Sequence, residues 1–130
     1  MAEASYPEDL LYHREHDWVR IDDDGETATM GITWYAQDAL GEVVFFDAPD
    51  VGSTLVQDES YAEIESVKAV SEVFAPMSGE VLEVNPKLGD DPAAVNDDPY
   101  GEGWLVRVRL SSVDEKEALM DVAAYTQLLG

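Results

Sequence analysis

The sequence contains two similar segments, and each predicts a β-strand followed by a turn. Residues 41–44 are Gly-Glu-Val-Val and are followed by Pro49 and Gly52. Residues 79–82 are Gly-Glu-Val-Leu and are followed, with one residue of slippage, by Pro86 and Gly89. A repeat of this kind indicates two β halves that pack as a pseudo-symmetric sandwich. The segment between the halves would then be a hairpin with its tip near residues 66–69.

Alternating apolar and polar residues predict strands on both sides of this hairpin. Residues 17–21 and 27–32 form an N-terminal pair around Gly25, and the other strands are predicted at residues 43–46, 60–65, 70–74, 81–84 and 104–110. A short helix is predicted over residues 34–40, because Thr33 is a good N-cap and Gly41 a good C-terminal stop. Residues 85–103 are rich in Asp, Pro and Gly and predict a long loop, either functional or a tolerated insertion.

The end of the chain predicts a helical segment over residues 112–129. Ser112 and Glu115 have the capping-box spacing, and Leu119, Val122 and Ala123 fall on one helical face. With 130 residues, 45% of them hydrophobic, the chain is long enough for one domain with a real core. We therefore predict a single domain over residues 1–130, with its core roughly at 28–110 and an N-terminal hairpin at 12–32.

The chain is strongly acidic, since 29 Asp and Glu residues against 7 Lys and Arg give a formal net charge of −22. Such a surface repels phosphates, so we expect no nucleic-acid partner and no electrostatic attachment to a membrane. The charge is spread from end to end and would strain a compact fold in dilute buffer. At ~1 M salt the Debye length falls to about 3 Å and the repulsion is screened. We therefore predict a protein from a high-salt organism.

Three absences narrow the possible chemistry and location of the protein. The chain has no cysteine, so disulfides, thiolate catalysis and cysteine-bound metals are excluded, and any redox chemistry must come from an attached group. No apolar run approaches the roughly 20 residues of a membrane span. Residues 1–5 lack the basic and hydrophobic regions of a secretory signal, and we expect a cytoplasmic protein.

The two histidines do not predict a metal site. His13 and His16 are three positions apart, but residues 12–21 predict an extended segment, in which side chains at that spacing point to opposite faces. Neither a Gly-rich phosphate loop nor a nucleophilic serine elbow is present. The residues therefore predict no self-contained active site.

Lys68 is the one residue whose position is unusual. It is the only lysine in the first 86 residues, and it lies at the predicted hairpin tip between the small residues Val67 and Ala69. A Schiff-base lysine would need a buried apolar pocket, which a hairpin tip does not supply. The pattern alone favours an ordinary surface lysine paired with Glu65 or Glu72.

The residues around Lys68 nevertheless resemble the lipoyl-lysine segment of the glycine cleavage system H-protein family. That segment is Glu65-Ser66-Val67-Lys68-Ala69-Val70-Ser71. Upstream, His16-Asp17-Trp18-Val19 resembles the family's His-Glu-Trp-Val, and residues 31–33, 36–37, 40–44, 75–81 and 96–104 follow its other blocks in order. The resemblance runs from about residue 6 to residue 129.

The resemblance implies a mainly β fold of the lipoyl/biotinyl type, a barrel-sandwich hybrid with short helices. It also implies a carrier protein and not an enzyme. Lys68 would bear lipoic acid in amide linkage, placed there by a lipoate-attaching enzyme. The arm would take the aminomethyl group of glycine from the pyridoxal-phosphate-dependent glycine decarboxylase (P protein) to the tetrahydrofolate-dependent aminomethyltransferase (T protein). Its electrons would pass to dihydrolipoyl dehydrogenase (L protein), and we expect the carrier to be a monomer.

Members of the family can also fold the loaded arm against their own surface, which shields it from water. By the resemblance, the candidates for docking the arm are His16 and Asp17. Asp17 replaces the family's usual Glu and is shorter by a methylene group. Trp34 and Tyr35 occupy a stretch that is normally more polar.

Several alternatives remain open on the sequence. Residues 75–79 resemble the stretch after a biotinyl lysine, but biotinyl domains typically flank that lysine with methionines, whereas Lys68 has Val67 and Ala69. A lipoyl carrier could instead relay lipoate to other proteins. From other classes, the chain could be an unmodified acidic binding module, or an enzyme with Lys68 as its nucleophile.

Overall fold

The computed structural model describes residues 5–130, so the predicted lack of a secretory signal in residues 1–5 falls almost wholly outside the described part. The strands follow one another along the chain as β1 (Leu11–His13), β2 (Asp17–Ile21), β3 (Thr27–Ile32), β4 (Val43–Asp47), β5 (Thr54–Leu55), β6 (Ser60–Ser66), β7 (Val70–Phe74), β8 (Gly79–Val84) and β9 (Val106–Leu110). The α-helices are α1 (Trp34–Leu40), α2 (Lys87–Asp90), α3 (Ala94–Asp97) and α4 (Val122–Leu129), with a 3₁₀ helix at Val113–Ala118. None of the helices among residues 5–130 has the length and apolarity needed to cross a membrane.

The strands form two antiparallel sheets. One has six strands in the order β1-β2-β3-β9-β8-β5, and the other has three in the order β4-β6-β7. The two similar segments of the sequence supply β4 and β8, which lie in different sheets, as a sandwich of two β halves requires. At Gly79 a Cβ would lie 2.5 Å from the carbonyl oxygen of Arg109, so the repeated glycine permits the close approach of β8 and β9.

Two hydrophobic clusters hold the fold together. The first is aliphatic, lies between the sheets and includes buried residues from most strands, among them Ile64, Val73, Val81 and Val108. The second is largely aromatic and joins β1 and β2 to α4; its buried members are Leu10, Tyr12, Trp18, Tyr100 and Tyr125. The mainly β sandwich predicted from the sequence is therefore confirmed.

Helix α1 begins and ends where the sequence predicts. The hydroxyl of Thr33 accepts a hydrogen bond from the backbone N–H of Ala36, which satisfies one of the free donors at the helix start. Gly41 ends the helix with φ 81°, a left-handed conformation that glycine adopts without strain, and its N–H donates to the carbonyl of Gln37.

The prediction of one extended segment over residues 12–21 is wrong, because the chain reverses there in a tight turn between β1 and β2. The N–H of His16 donates to the carbonyl of His13 at 2.9 Å, and His16 has φ 73°. Turns of this type usually carry glycine or asparagine at the left-handed position. With histidine there instead, no local signal marked the turn.

The prediction of a capping box at Ser112 and Glu115 is also wrong. Ser112 makes no side-chain cap, and the carboxylate of Glu115 instead accepts hydrogen bonds from the N–H and the hydroxyl of Ser78, at 2.7 and 2.9 Å. Helix α4 begins later, and Asp121 is its N-cap. The buried residue of α4 is Tyr125, whereas Ala123 is exposed and Leu119 lies before the helix.

The long loop predicted over residues 85–103 contains two short helices, α2 and α3. Two buried asparagines fix this segment. The amide nitrogen of Asn85 donates to the carbonyls of Glu102 and Trp104, at 2.7 and 2.8 Å. Asn96 accepts from the N–H of Val43 at 2.8 Å and donates to the carbonyl of Gly41 at 2.8 Å. The segment is therefore bonded into the fold and is not a loosely attached insertion.

Candidate functional site

Lys68 lies at the tip of the β6–β7 hairpin, as predicted. The strands pair up to Glu65 and Val70, and the N–H of Ser66 donates to the carbonyl of Ala69 at 2.8 Å. The hydroxyl oxygen of Ser66 accepts from the N–H groups of Lys68 and Ala69, at 3.3 and 3.0 Å. The side chain of Ser66 thus stabilises the turn, and the side chain of Lys68 takes no part in these hydrogen bonds.

The tip is anchored at its base but open around the lysine. The N–H of Val67 donates to the carbonyl of Glu42 at 3.0 Å, which ties the tip to the segment after α1. Val67 and Val70 are 68% and 60% exposed. Over the described range 5–130, Lys68 forms no ion pair, so the pairing with Glu65 or Glu72 that the pattern favoured is absent.

The end of α1 leaves room for the lysine side chain. A Cβ at Gly41 would lie 3.3 Å from Cε of Lys68, so the aliphatic stem of the lysine passes over a position that has no side chain. Gly41 therefore both ends α1 and clears a path beside the tip.

A cleft of about 380 Å³ opens next to the tip. Most of its lining comes from the β1–β2 turn, one face of α1, and strand β7 with the end of the hairpin, and one residue each of β3 and β6 completes it. The lining residues are Glu15, His16, Asp17, Ile32, Tyr35, Ala36, Ala39, Leu40, Ile64, Ala69, Val70, Ser71, Glu72, Val73 and Phe74. Ala69 and Val70 link the cleft directly to Lys68, so an arm attached to the lysine can turn into it.

Asp17 is the most unusual group of the cleft. Its side chain is only 3% exposed, and its Oδ2 has no hydrogen-bond partner among the described residues. Burial raises the pKa of this carboxyl well above its usual range and the neighbouring Glu15 raises it further, while the backbone N–H of Phe74 opposes the shift. A buried polar atom without a partner costs free energy, and among the described residues the hydroxyl of Tyr61 is the other side-chain atom of this kind.

His13 does not form a hydrogen bond with the carboxyl group of Asp17. Its Nδ1 accepts a hydrogen bond from the N–H of Glu15 at 3.1 Å, so the ring proton lies on Nε2, which donates to Asp58 at 2.6 Å. The distance from Nδ1 of His13 to Oδ2 of Asp17 is 3.9 Å, too long for a hydrogen bond. His13 therefore braces the β1–β2 turn against the loop at Asp58.

His16 faces the cleft from the same turn. Its ring lies 4.4 Å from the ring of Tyr35, and its Nδ1 is 2.8 Å from the hydroxyl of Tyr125. Burial lowers the pKa of His16, so the imidazole is neutral at pH 7. The structure thus brings both predicted arm-docking residues, His16 and Asp17, to one cleft.

Half of the predicted residues around the lysine also line the cleft, and the structure adds some residues that the sequence did not indicate. Ala69, Val70 and Ser71 line the cleft, whereas Glu65, Ser66 and Val67 do not. Tyr35 and Tyr125 had no assigned role, because Tyr125 is 109 positions from His16 and no local pattern links them. Residues 5–130 contain no group of three or more His, Cys, Asp or Glu side chains that could hold a metal ion.

The fold and the site define a class: a lipoyl-domain-like β sandwich that presents one lysine at an open hairpin tip beside a cleft. The sequence model of the family described as glycine cleavage H-protein matches residues 10–130. This chain therefore belongs to the glycine cleavage H-protein family.

Individual relatives agree with that membership. The chain is 49% identical over 122 residues to a glycine cleavage system H protein of Symbiobacterium thermophilum, with 94% of each chain covered. It is 51% identical over 124 residues to the H protein of Marinobacter nauticus, with 95% of each covered. The crystal structure of a glycine cleavage system H protein from Mycobacterium marinum has a TM-score of 0.87 and 40% identity, and the match covers 96% of this chain and 99% of that one.

Proposed function

We propose that this chain is the lipoyl carrier of glycine cleavage and that Nζ of Lys68 is the attachment point of lipoic acid. The observation that carries the proposal is the position of Lys68, alone on an open hairpin tip beside a cleft, in a member of the glycine cleavage H-protein family. An attachment lysine must be reached by several enzymes in turn, and a tip of this kind allows that.

The residues present fit a lipoyl group. The hairpin tip leaves Nζ accessible for amide formation, Gly41 clears space for the arm at its base, and the cleft supplies an apolar wall with an unpartnered carboxyl oxygen. When bound, the lipoyl dithiolane would supply the two-electron and group-carrying chemistry that a chain without cysteine lacks.

The partners proposed for this carrier follow from the pathway. They are the P protein, which decarboxylates glycine, the T protein, which receives the aminomethyl group, and the L protein, which takes up the electrons. A lipoate-attaching enzyme would modify Lys68 beforehand. The chain itself would catalyse none of these steps. Its contribution is to tether the cargo, which replaces free diffusion with a high effective concentration at each partner.

We propose further that the cleft shelters the loaded arm, with Asp17 and His16 as its polar contacts. The buried Oδ2 of Asp17 has no partner and could accept a hydrogen bond from an amine carried by the arm. His16 is neutral and adds no charge to repel that amine. Because Ile64, Val73 and the apolar face of α1 form one part of the wall, they would limit the access of water to the cargo.

The experiment that tests the attachment site is intact-mass and peptide mass spectrometry on protein purified from its native host. One lipoyl adduct on the peptide that contains Lys68 is the expected result. A biotin adduct would instead make the chain a biotinyl carrier. An unmodified Lys68 in cells that lipoylate other proteins would favour a binding module, and glycine-dependent exchange with the cognate P protein separates glycine cleavage from lipoate relay.

We also propose that the chain works as a monomeric single domain in a high-salt cytoplasm. What supports the salt requirement is the net charge of −22, spread over the sequence. The free energy of unfolding should rise from dilute buffer to ~1 M salt as the repulsion is screened. Equal stability in both buffers would contradict the proposed adaptation without touching the carrier function.

A further inference from the structure

The hydroxyl of Tyr125 joins the two walls of the arm-docking cleft. Tyr125 lies in α4 and is fully buried. Its hydroxyl oxygen is 2.8 Å from Nδ1 of His16, on the β1–β2 turn, and 2.8 Å from Oγ1 of Thr33, the N-cap of α1. One hydroxyl from the C-terminal helix thus bonds to both elements that form the cleft opposite β7.

Both partners of Tyr125 need such support. His16 has φ 73°, a conformation that costs energy in a residue other than glycine and persists only where the surroundings hold it. Oγ1 of Thr33 also accepts the N–H of Ala36 at 3.3 Å, so the bond to Tyr125 and the helix cap share one oxygen. The first turn of α1, which places Tyr35 and Ala36 in the cleft wall, therefore depends on where this oxygen is held.

The hydroxyl of Tyr125 is held in position by ring contacts that lie outside the cleft. The ring of Tyr125 stacks on the ring of Tyr12, with centroids 4.6 Å apart and an angle of 7° between the planes. Tyr6 packs edge-on against it at 5.7 Å. The aromatic cluster thus fixes the ring, and the ring fixes the hydroxyl. Burial raises the pKa of Tyr125, which keeps the hydroxyl protonated.

We propose that Tyr125 is a positioning residue of the arm-docking cleft: its hydroxyl holds the imidazole of His16 and the start of α1 at a set distance, so that the cleft stays closed to water around the loaded arm. The proposal rests on the proposed docking of the arm and gives α4 a part in it. Nothing in the local sequence of α4 indicates this role.

The chain offers a matched pair of variants for the test. Tyr125→Phe removes the hydroxyl and keeps the stacked ring. Tyr12→Phe removes a hydroxyl from the other ring of the same stack, where it donates to the carbonyl of Pro7 at 2.6 Å and touches neither wall of the cleft. Tyr12→Phe removes one hydrogen bond and Tyr125→Phe removes two, so the general loss of stability should differ by only the contribution of one hydrogen bond.

The first readout uses unlipoylated protein and needs no partner. The imidazole signals of His16 in an NMR titration should shift and broaden in Tyr125→Phe and stay as in the parent protein in Tyr12→Phe. Unchanged His16 signals in Tyr125→Phe would overturn the proposal. Because this measurement does not require Lys68 to be modified, it is independent of the proposed carrier function.

The second readout is the lifetime of the loaded carrier in the absence of other proteins. After loading with glycine and the P protein, water should release formaldehyde and ammonia from Tyr125→Phe about three- to tenfold faster than from Tyr12→Phe, the factor expected for loss of the hydrogen bond that holds His16. Equal rates would overturn the proposal. A Lys68 that cannot be loaded at all would count against the carrier function, and mass spectrometry would show it.

A second variant guards against poor folding of the first. His16→Asn removes the imidazole and keeps α4 intact, and asparagine tolerates the left-handed backbone of this position. If Tyr125 acts through His16, the double variant should lose its cargo no faster than the faster single variant. Multiplied effects would show that the hydroxyl of Tyr125 acts independently of His16, and would overturn the assignment of His16 as its target.

Discussion

The hairpin tip and the cleft lie side by side but are built in opposite ways. The tip, residues 66–69, consists of consecutive residues closed by one serine, with Val67 68% exposed. The cleft combines three separate elements around a carboxyl that is 3% exposed. A point of attachment that several enzymes must reach needs exposure, whereas a shelter that excludes water needs burial and contacts between distant residues.

The two regions should therefore respond differently to mutation. A change at the tip should alter what is attached and leave the folded state unaffected. A change in the cleft wall should alter stability, because its polar groups are buried and its turn is strained.

The largest effect is expected at the tip, from Lys68→Arg. Arginine cannot form the amide, so lipoylation should be lost completely, while the free energy of unfolding should change by no more than about 0.5 kcal/mol, as for other exposed sites. Mass spectrometry and urea denaturation measure the two quantities. Lys87→Arg, at another exposed lysine, is the control and should keep full lipoylation. Residual lipoyl adduct in Lys68→Arg would place the attachment elsewhere.

Gly31→Ala should disturb the packing of β2 and β3, the strands that carry part of the cleft wall. Gly31 lies opposite Trp18 in the β2–β3 pair, and a Cβ there would be 2.7 Å from the indole ring. Since Trp18 is fully buried, we expect a loss of about 1–3 kcal/mol, the usual cost of overpacking.

Urea denaturation of Gly31→Ala against Gly89→Ala tests this. A Cβ at Gly89 meets no atom within 4 Å, so alanine in the short helix α2 should be neutral or slightly stabilising. Similar losses in both variants would show that the wall behind Asp17 is not tightly packed.

Asp17→Asn should distinguish the buried cleft from the exposed tip through the pH dependence of the free energy of unfolding. The pKa of Asp17 is raised in the folded state above the ordinary value of 3.8, so between 3.8 and that higher pKa the unfolded state ionises and the folded state does not. The parent protein should therefore lose stability as pH rises through this window. Asparagine cannot ionise, and the variant should be more stable by about 1–3 kcal/mol at neutral pH, with no difference below pH ~3.

Asp24→Asn provides a control of opposite sign in the same hairpin. Backbone N–H groups of Glu26 and Thr27 lower the pKa of Asp24, so its contribution is present above 3.8 and is lost as pH falls through the lowered value. This variant should be less stable than the parent at neutral pH and equal to it in acid. Thermal unfolding from pH 3 to pH 8 would measure both curves, and a parent curve parallel to that of Asp17→Asn would contradict the buried, raised carboxyl.

The smallest effect is expected from Glu115→Gln, which touches neither the tip nor the cleft. The carboxylate of Glu115 accepts two hydrogen bonds from Ser78, and the amide can replace only part of them, so a loss of about 0.5–1.5 kcal/mol is expected. Glu117→Gln, at an exposed position, is the control. Lipoylation and the lifetime of the loaded carrier should be unchanged in both; a shorter lifetime in Glu115→Gln would extend the cleft's support beyond Tyr125.

The tip was predictable from the sequence and the cleft was largely not, for the same physical reason. Strand alternation and the repeat at residues 41–44 and 79–82 are local patterns, and they place the β6–β7 tip correctly. The proposal that Lys68 is an attachment site required the resemblance to a family, since an exposed lysine carries no local signal. The turn at His16 lacks a glycine, and the bonds from Tyr125 and Asn96 join residues far apart in the chain, so no pattern along the sequence predicts them.

The way the tip is anchored has a consequence for how the carrier searches for its partners. Strand β6 is the central strand of its sheet, and the tip is bonded to the carbonyl of Glu42. The backbone of the tip is therefore held in place by these hydrogen bonds, and the freedom of movement lies in the side chain of Lys68 beyond its Cα. The volume that the cargo explores would then be set by the length of the arm and by the protein surface beneath it. On the proposed function, each partner would meet the cargo within the same limited volume above the tip, in whatever order the partners bind.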